Sequence, residues 1–455
     1  MHSVPAPPTA TAAALTDFRT QLHATFGSWD DALFELTDAT LTATGPVSST
    51  PHLSLEPCFR RSHGSLYKAL AYGHIDTDAL RALLVANRPT SWPAVFAVDA
   101  STWDRCDAEC SPERGFYYHA SKHSNGQPIV AGWSYQWITQ LDWAPDSWTA
   151  PIDARRIPVG ADTTDATATQ VRELVDLLDQ DDGVPMFVFD AGYDPIGLTH
   201  ELSDVDAQLL VRIRDDRVFY TDPPEPAPGT RGRPRRHGHR FKCGQPDTWP
   251  TPNDQLTIDD DPLYGTVTVT SWSGLHPKLG RRGRWADVDQ TPIVVGTVIR
   301  VAVEHLPKPT ARTTKTLWLW WAGPDTPDLE ICFRAYLRRF DIEHTYRFAK
   351  NTLGWTTPRV ATPEQADRWT WLIVAAYTQL RLARGLIDDH RLPWEKPRQP
   401  DKLTPARIRR GFRRLTADIG TPANPPKSDK PGPGRPKGTR TGPRTRHPAI
   451  KKAAA

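Results

Sequence analysis

Three carboxylates in this sequence stand where chemistry could use them. Asp99 ends the apolar run VFAV, Asp190 ends MFVF, and Glu343 lies in the helix-like stretch YLRRFDIEHTYRFAK, Tyr336–Lys350. Each apolar run reads as a buried strand, so its aspartate belongs at the strand mouth, where desolvation does not penalise the charge. Strand ends in an open α/β sheet are where ligand and catalytic groups gather. Either aspartate alone reads equally well as the cap of the following turn. With Glu343, three carboxylates from separate elements could share one cluster, whose mutual repulsion requires cations to offset it. Hard oxygen donors point to Mg²⁺, or Mn²⁺, rather than zinc. Two such ions about 3.5–4 Å apart would activate an attacking oxygen and stabilise a leaving one in phosphodiester transfer.

Basic and aromatic partners accompany Glu343. Tyr336, Arg339, Glu343 and Lys350 fall at offsets 0, 3, 7 and 14, which on one continuous helix share an arc of about 60°. Arg339 and Lys350 could hold the phosphates that flank a scissile bond, and Tyr336 could hydrogen-bond a phosphate one turn along. Arg338 and Arg347 lie off that arc and read as ordinary basic residues.

The elements that must position these groups are suggested by periodicity. Residues 1–90 carry short helix-like pieces separated by Gly, Pro and Ser, and read as a helical N-terminal domain that could bind DNA ends. Residues 91–216 give three strands, a helix, a strand, a helix and a strand, an α/β core. Residues 217–324 read as an all-β insertion with strands at TVTVTSW, PIVVGTVIRVAVEH and TLWLWW. Helices carrying the glutamate follow over 325–390, then a basic helical segment over 391–420. Residues 421–455, rich in Pro, Gly, Lys and Arg, are expected to be disordered.

Charge is unevenly spread over the 455 residues. The net is only +3, yet Asp401–Ala455 holds fifteen Lys/Arg against three Asp/Glu, leaving the first 400 residues at about −9. A basic tail on an acidic body suggests a polyanion, most simply nucleic acid. RGRPRR (Arg231–Arg236) and GRPKG (Gly434–Gly438) have the Arg-Pro core of minor-groove strips, and read equally well as basic, Pro-stiffened loops making only nonspecific phosphate contacts. In RIRRGFRRL, Arg407, Arg410 and Arg414 share a face suited to following phosphates. Cys106, Cys110, His119 and His123 imitate a zinc set, but the middle spacing is too short for a finger and His119 falls on an expected strand. Asp104 and Asp107 read as solvated loop acids. Five scattered cysteines fit reduced thiols. No apolar run is long enough for a membrane span and no secretory signal is evident.

Tyr336-x2-Arg339-x3-Glu343-x6-Lys350, with VDAST around Asp99 and FDAGYD around Asp190, resembles the DDE transposases of bacterial insertion sequences of the family-four type. The likeness covers roughly residues 90–385. It implies a ribonuclease-H-like catalytic core interrupted by the β insertion, with Asp99, Asp190 and Glu343 binding Mg²⁺ and Tyr336, Arg339 and Lys350 contacting DNA. It implies cut-and-paste transposition through a hairpin, on double-stranded DNA comprising the terminal inverted repeats and the target, by a homodimer in the bacterial cytoplasm at the nucleoid. It also implies a tryptophan stacked on a flipped base: Trp318 is favoured over Trp272, Trp320 and Trp321. The alternatives are an inactive or domesticated DNA-binding descendant and a nuclease that only hydrolyses.

Overall fold

A computed structural model describes residues 12–119, 126–179, 183–225, 234–310, 314–427 and 442–450. The chain forms two compact units. One comprises Met1–Pro93, Ala100–Gly160 and Asp341–Ala453, the other Ala94–Asp99, Ala161–Phe340 and the last two residues.

In the first unit, α1 (Ala12–Ala24), α2 (Asp30–Thr42), α3 (Thr50–Leu53), α4 (His63–Tyr72) and α5 (Thr77–Ala86) precede strand β1 (Val95–Asp104). The second half of β1 lies beside β3 (Ile129–Leu141), which also pairs antiparallel with β2 (Gly115–Tyr118) and β4 (Thr149–Ile157). The N-terminal helices do not form a unit of their own. Four of them, α1, α2, α4 and α5, pack on a later helix of the same unit, Pro363–Leu382, whose residues from Trp369 to Leu380 are buried on every side. An internal ion pair ties this bundle together. Arg19 donates to Asp38 at 2.6 and 2.8 Å, to Gln379 at 2.7 Å and to the Gly420 carbonyl at 2.9 Å.

β4 has no counterpart among the expected strands. Its sequence TAPIDARRI carries a proline and two arginines, which hide the strand signal. The structure accommodates Pro151 where the pairing slips between Ile138 and Thr139.

The second unit is a large mixed sheet. Its strands are the start of β1, β5 (Met186–Phe189), β6 (Gln208–Ile213), β9 (Asp254–Asp261), β10 (Gly265–Leu275), β11 (Gly296–Val303) and β12 (Thr316–Ala322). Their order is β1-β5-β6-β12-β11-β10-β9. β1, β5 and β6 are parallel, and every pairing beyond them is antiparallel. The segment expected to be a separate all-β insertion therefore extends the core sheet, because β12 pairs directly with β6. β7 (Val218–Tyr220) and β8 (Arg240–Lys242) make a small separate pair. β9, DQLTIDDD, escapes the sequence pattern because an exposed acidic edge strand lacks the apolar alternation of its neighbours.

Between β4 and β5 lies α6 (Thr163–Val175), and between β5 and β6 lies α7 (Pro195–Glu201); both start at aspartate caps, Asp162 and Asp194. α8 (Leu329–Arg338), capped by Asp328, belongs to the second unit. The first unit then resumes with α9 (Asp341–Asn351), α10 (Pro363–Leu382) and α11 (Pro405–Ile419). Both α10 and α11 begin with Pro after Thr.

Three expectations need correction here. The stretch Tyr336–Lys350 is not one rod: α8 ends at Arg338, Arg339 and Phe340 form a turn, and α9 starts at Asp341 with two acids in its first turn. The α11 arginines of the expected phosphate-facing side are engaged within the protein. Arg407 pairs with Asp389 at 2.9 Å, Arg410 with Glu395 at 2.6 Å, and Arg414 meets His390 at 3.1 Å. The described residues after Thr421 have partners in the first unit. Arg60 and Arg61 donate to the Ala423 and Asn424 carbonyls at 2.8 Å. Further on, Arg114 donates to the His447 carbonyl, and the Ile450 N–H donates to the Arg114 carbonyl at 2.7 Å. Lastly, His119 follows β2 rather than lying on it. Arg231–Arg233, Gly434–Gly438 and His123 lie outside the described residues.

Candidate active site

Asp99 and Asp190 are set side by side by strand register. In the parallel pair β1–β5, Val95 stands opposite Met186, Phe96 opposite Phe187 and Ala97 opposite Val188. Two residues further along each chain come Asp99 and Asp190, on neighbouring strands that lie about 4.8 Å apart. The residues before them, Val95–Val98 and Met186–Phe189, are fully buried, while both aspartates are half-exposed. The apolar runs thus carry each carboxylate to the rim of the core without desolvating it. The Gly192 N–H donates to Asp190 Oδ1 at 2.7 Å, fixing the turn after β5. That turn ends at Asp194, whose carboxylate accepts from the Ile196 N–H and caps α7.

Tyr193, between them, was not singled out by sequence. Its ring packs on Phe189 with centroids 5.1 Å apart. Burial, then the negative charges of Asp99 and Asp190, holds its hydroxyl well above the usual tyrosine range, with Arg339 acting the other way. Tyr193 is therefore a neutral donor near neutral pH. A tyrosine three residues beyond a strand-end aspartate was the available signal.

Arg339 and Tyr336 join this cluster, both almost fully buried. The Arg339 guanidinium lies 4.7 Å from the Phe340 ring centre and 5.8 Å from that of Tyr336. Burial raises the Tyr336 hydroxyl, Arg212 and Arg339 lower it, and Asp190 raises it. The second unit thus brings Asp99, Asp190, Tyr336 and Arg339 together and adds Tyr193 and Arg212. Glu343 and Lys350 lie in the first unit. There α9 buries Ile342, Thr345, Tyr346 and Ala349, with the Thr345 hydroxyl 2.7 Å from that of Thr149 on β4. Glu343 is exposed in the first turn. Lys350 Nζ donates to the Thr102 carbonyl of β1 at 3.0 Å and lies 5.5 Å from the Trp355 ring.

A cavity of about 850 Å³ opens beside Ala191 and is lined by Arg212, Trp249, Arg300, Trp318 and Tyr336. Trp318 lies on its wall, at 5.3 Å from Trp249 between ring centres. Trp249 is a further missed residue: its indole N–H donates to the Lys242 carbonyl and Arg300 sits 5.2 Å over its ring. Trp318 is as buried as Trp272, Trp320 and Trp321, the last two of which have their N–H groups bonded to Thr199 and Gln208.

The remaining acids and possible metal ligands are placed differently. Asp107 pairs with Arg105 at 3.2 Å. Cys106 and Cys110 are exposed thiols. Among the described residues, the grouping of three ligand atoms within 4.8 Å is His23, Asp30 and Asp31, and Asp31 is already engaged by Arg61 and the Asn424 N–H. No described helix is long and apolar enough to cross a membrane.

No curated protein matches this sequence. Residues 17–278 do match a family described as DDE superfamily endonuclease, a span that includes Asp99 and Asp190 and stops before Glu343. With that match covering more than half of its length, and a strand-end carboxylate pair on a large mixed sheet, the chain belongs to the DDE superfamily of endonucleases.

Proposed function

We propose that this endonuclease is the transposase of a bacterial insertion sequence, cutting double-stranded DNA at terminal inverted repeats and joining the freed end to target DNA. The observation that carries the reading is the matched register of Asp99 and Asp190 on parallel strands. Two carboxylates at adjacent strand ends offer hard oxygen donors on a rigid backbone, which suits Mg²⁺ or Mn²⁺. When bound, such ions lower the pKa of an attacking water or hydroxyl and offset charge at the phosphorus.

The protein's own groups do the positioning. Asp99 and Asp190 hold the cations, and the Tyr336-x2-Arg339-x3-Glu343-x6-Lys350 spacing nominates Glu343 as the third carboxylate. Arg339, with Arg212 beside Tyr336, supplies a partly desolvated cation for a phosphate near the scissile bond. Lys350 serves a neighbouring phosphate, and Tyr193 donates from its neutral hydroxyl. Trp318, with Trp249 facing it, offers an aromatic wall for an extruded base. Two copies acting on paired DNA ends would form the synapse.

Incubating the protein with paired transposon ends and Mg²⁺ tests this. Hairpins and strand-transfer products are expected; nicks alone would leave a hydrolytic nuclease, and binding without cleavage an inactive descendant. Asp99→Asn or Asp190→Asn should lower cleavage by about three orders of magnitude or more while DNA binding persists. Full activity in either variant would overturn the site.

A further inference from the structure

The cavity beside Ala191 does not end at Arg214. Ile213 and Arg214, at the end of β6, line it on one side and a second cleft of about 490 Å³ on the other. The turn after β5 spans the same divide, with Ala191 on the first cavity and Asp194 on the second. The second cleft has an apolar floor that includes Ile196, Phe219 and Trp285, and a rim carrying Arg214, Arg217, Lys278 and Arg282.

Those four cations are exposed, and among the described residues none has a side-chain ion pair. Arg284, two residues from Arg282, is used quite differently. It reaches Asp165 and Glu201 at 2.5 Å and Asp162 at 3.2 Å, pinning the 277–285 loop to α6 and α7. Arg281 donates to the Val288 carbonyl at 3.0 Å, closing the loop on itself. The loop is anchored through two arginines while Lys278 and Arg282 are left on the cleft. Two carboxylates, Asp194 and Asp216, share the lining, and Asp194 is occupied as the α7 cap. Four cations against two acids make this a positive strip on a chain whose first 400 residues are net acidic.

We propose that Arg214, Arg217, Lys278 and Arg282 form a phosphate track for the DNA duplex that runs away from the cleavage site, across the end of β6. The inference rests on the nuclease reading above and deepens it by assigning where the flanking DNA lies. An apolar floor with a cationic rim suits a sugar-phosphate backbone, and continuity with the cavity beside Asp190 makes the substrate's own flank the occupant rather than a separate partner.

The test uses the full chain with Arg217, Lys278 and Arg282 all changed to Ala, and a second variant with Arg217→Lys and Arg282→Lys. DNA binding is measured against salt on a short duplex ending near the scissile position and on a long one. Each lost phosphate contact should reduce the slope of log affinity against log salt by about 0.9, so by about 2–3 in the alanine variant. The preference for long over short duplex should shrink at least about tenfold in the alanine variant and be kept in the lysine variant, since a phosphate contact needs charge more than shape. An unchanged slope and length preference in the alanine variant overturns the track. So does competition by polyglutamate as effective as that by DNA. Failure of the unaltered protein to cleave any duplex while still binding the long one with the expected slope would instead remove the nuclease reading.

Discussion

At the scale of single residues, position along a strand decides what a carboxylate can do. Asp99 and Asp190 each follow four fully buried residues, so both emerge at the same depth and neither can retreat into the core. Tyr193 and Trp249 show what the sequence withheld. Their types were visible, but their roles depend on neighbours far away in the chain, Asp99 for one and Arg300 for the other. The thiols obey the same rule of environment. Burial pushes Cys58 and Cys243 up to about 12 and Cys332 well above the usual thiol range, whereas Cys106 and Cys110 are exposed. Because the thiolate is the nucleophile, iodoacetamide at mildly alkaline pH should label Cys106 and Cys110 in the folded protein. The other three should react only after denaturation, as read by mass spectrometry of tryptic peptides.

Among elements, the strongest periodic signals survived and the mixed ones did not. β1, β3, β5, β6 and β12 are apolar enough to be read directly, whereas β4 is disguised by Pro151 and its arginines, and β9 by its acids. The helical spacing of Tyr336, Arg339, Glu343 and Lys350 assumed a continuity that no glycine or proline contradicts, yet the chain turns at Arg339–Phe340. The first two residues are buried, Glu343 is exposed and Lys350 is half-buried; an angular argument could not have foreseen that split. Nor could it show that Arg407 and Arg410 close on Asp389 and Glu395, since both acids lie in a stretch without clear periodicity. The buried pair Arg19–Asp38 gives this scale its prediction. Asp38→Ala would leave the Arg19 guanidinium in the core with only neutral partners, Gln379 and the Gly420 carbonyl. Removing one partner of a buried ion pair costs about 3–5 kcal/mol. Urea unfolding should register that loss, and a change smaller than about 1 kcal/mol would mean that Arg19 is solvated after all.

For the molecule as a whole, two kinds of basic residue have to be told apart. Arg407 and Arg410 of α11 neutralise acids within the protein, while Lys278, Arg282, Arg214 and Arg217 face a cleft. Counting charge along the chain located a surplus after Asp401 but could not distinguish a cation already spent on a carboxylate from one still available. The mixed α/β class was legible because apolar runs and aspartates recur at strand ends. The grouping of the N-terminal helices around α10 was not, because it depends on contacts made some 300 residues later.

The last described segment has a further consequence. β2 is four residues long and ends the strand order, yet Ile450 bridges to Gly115 in parallel and the Ile450 N–H bonds the Arg114 carbonyl. Arg446 adds a contact to Glu109 at 3.4 Å. An uncovered edge strand is a template on which other chains can polymerise. The C-terminal residues thus cover the start of β2 at Gly115 and shorten the open edge. A chain shortened to end at Lys427 should keep its helical circular-dichroism signal but scatter more light on concentration, and adding a peptide of residues 442–450 should reverse the effect.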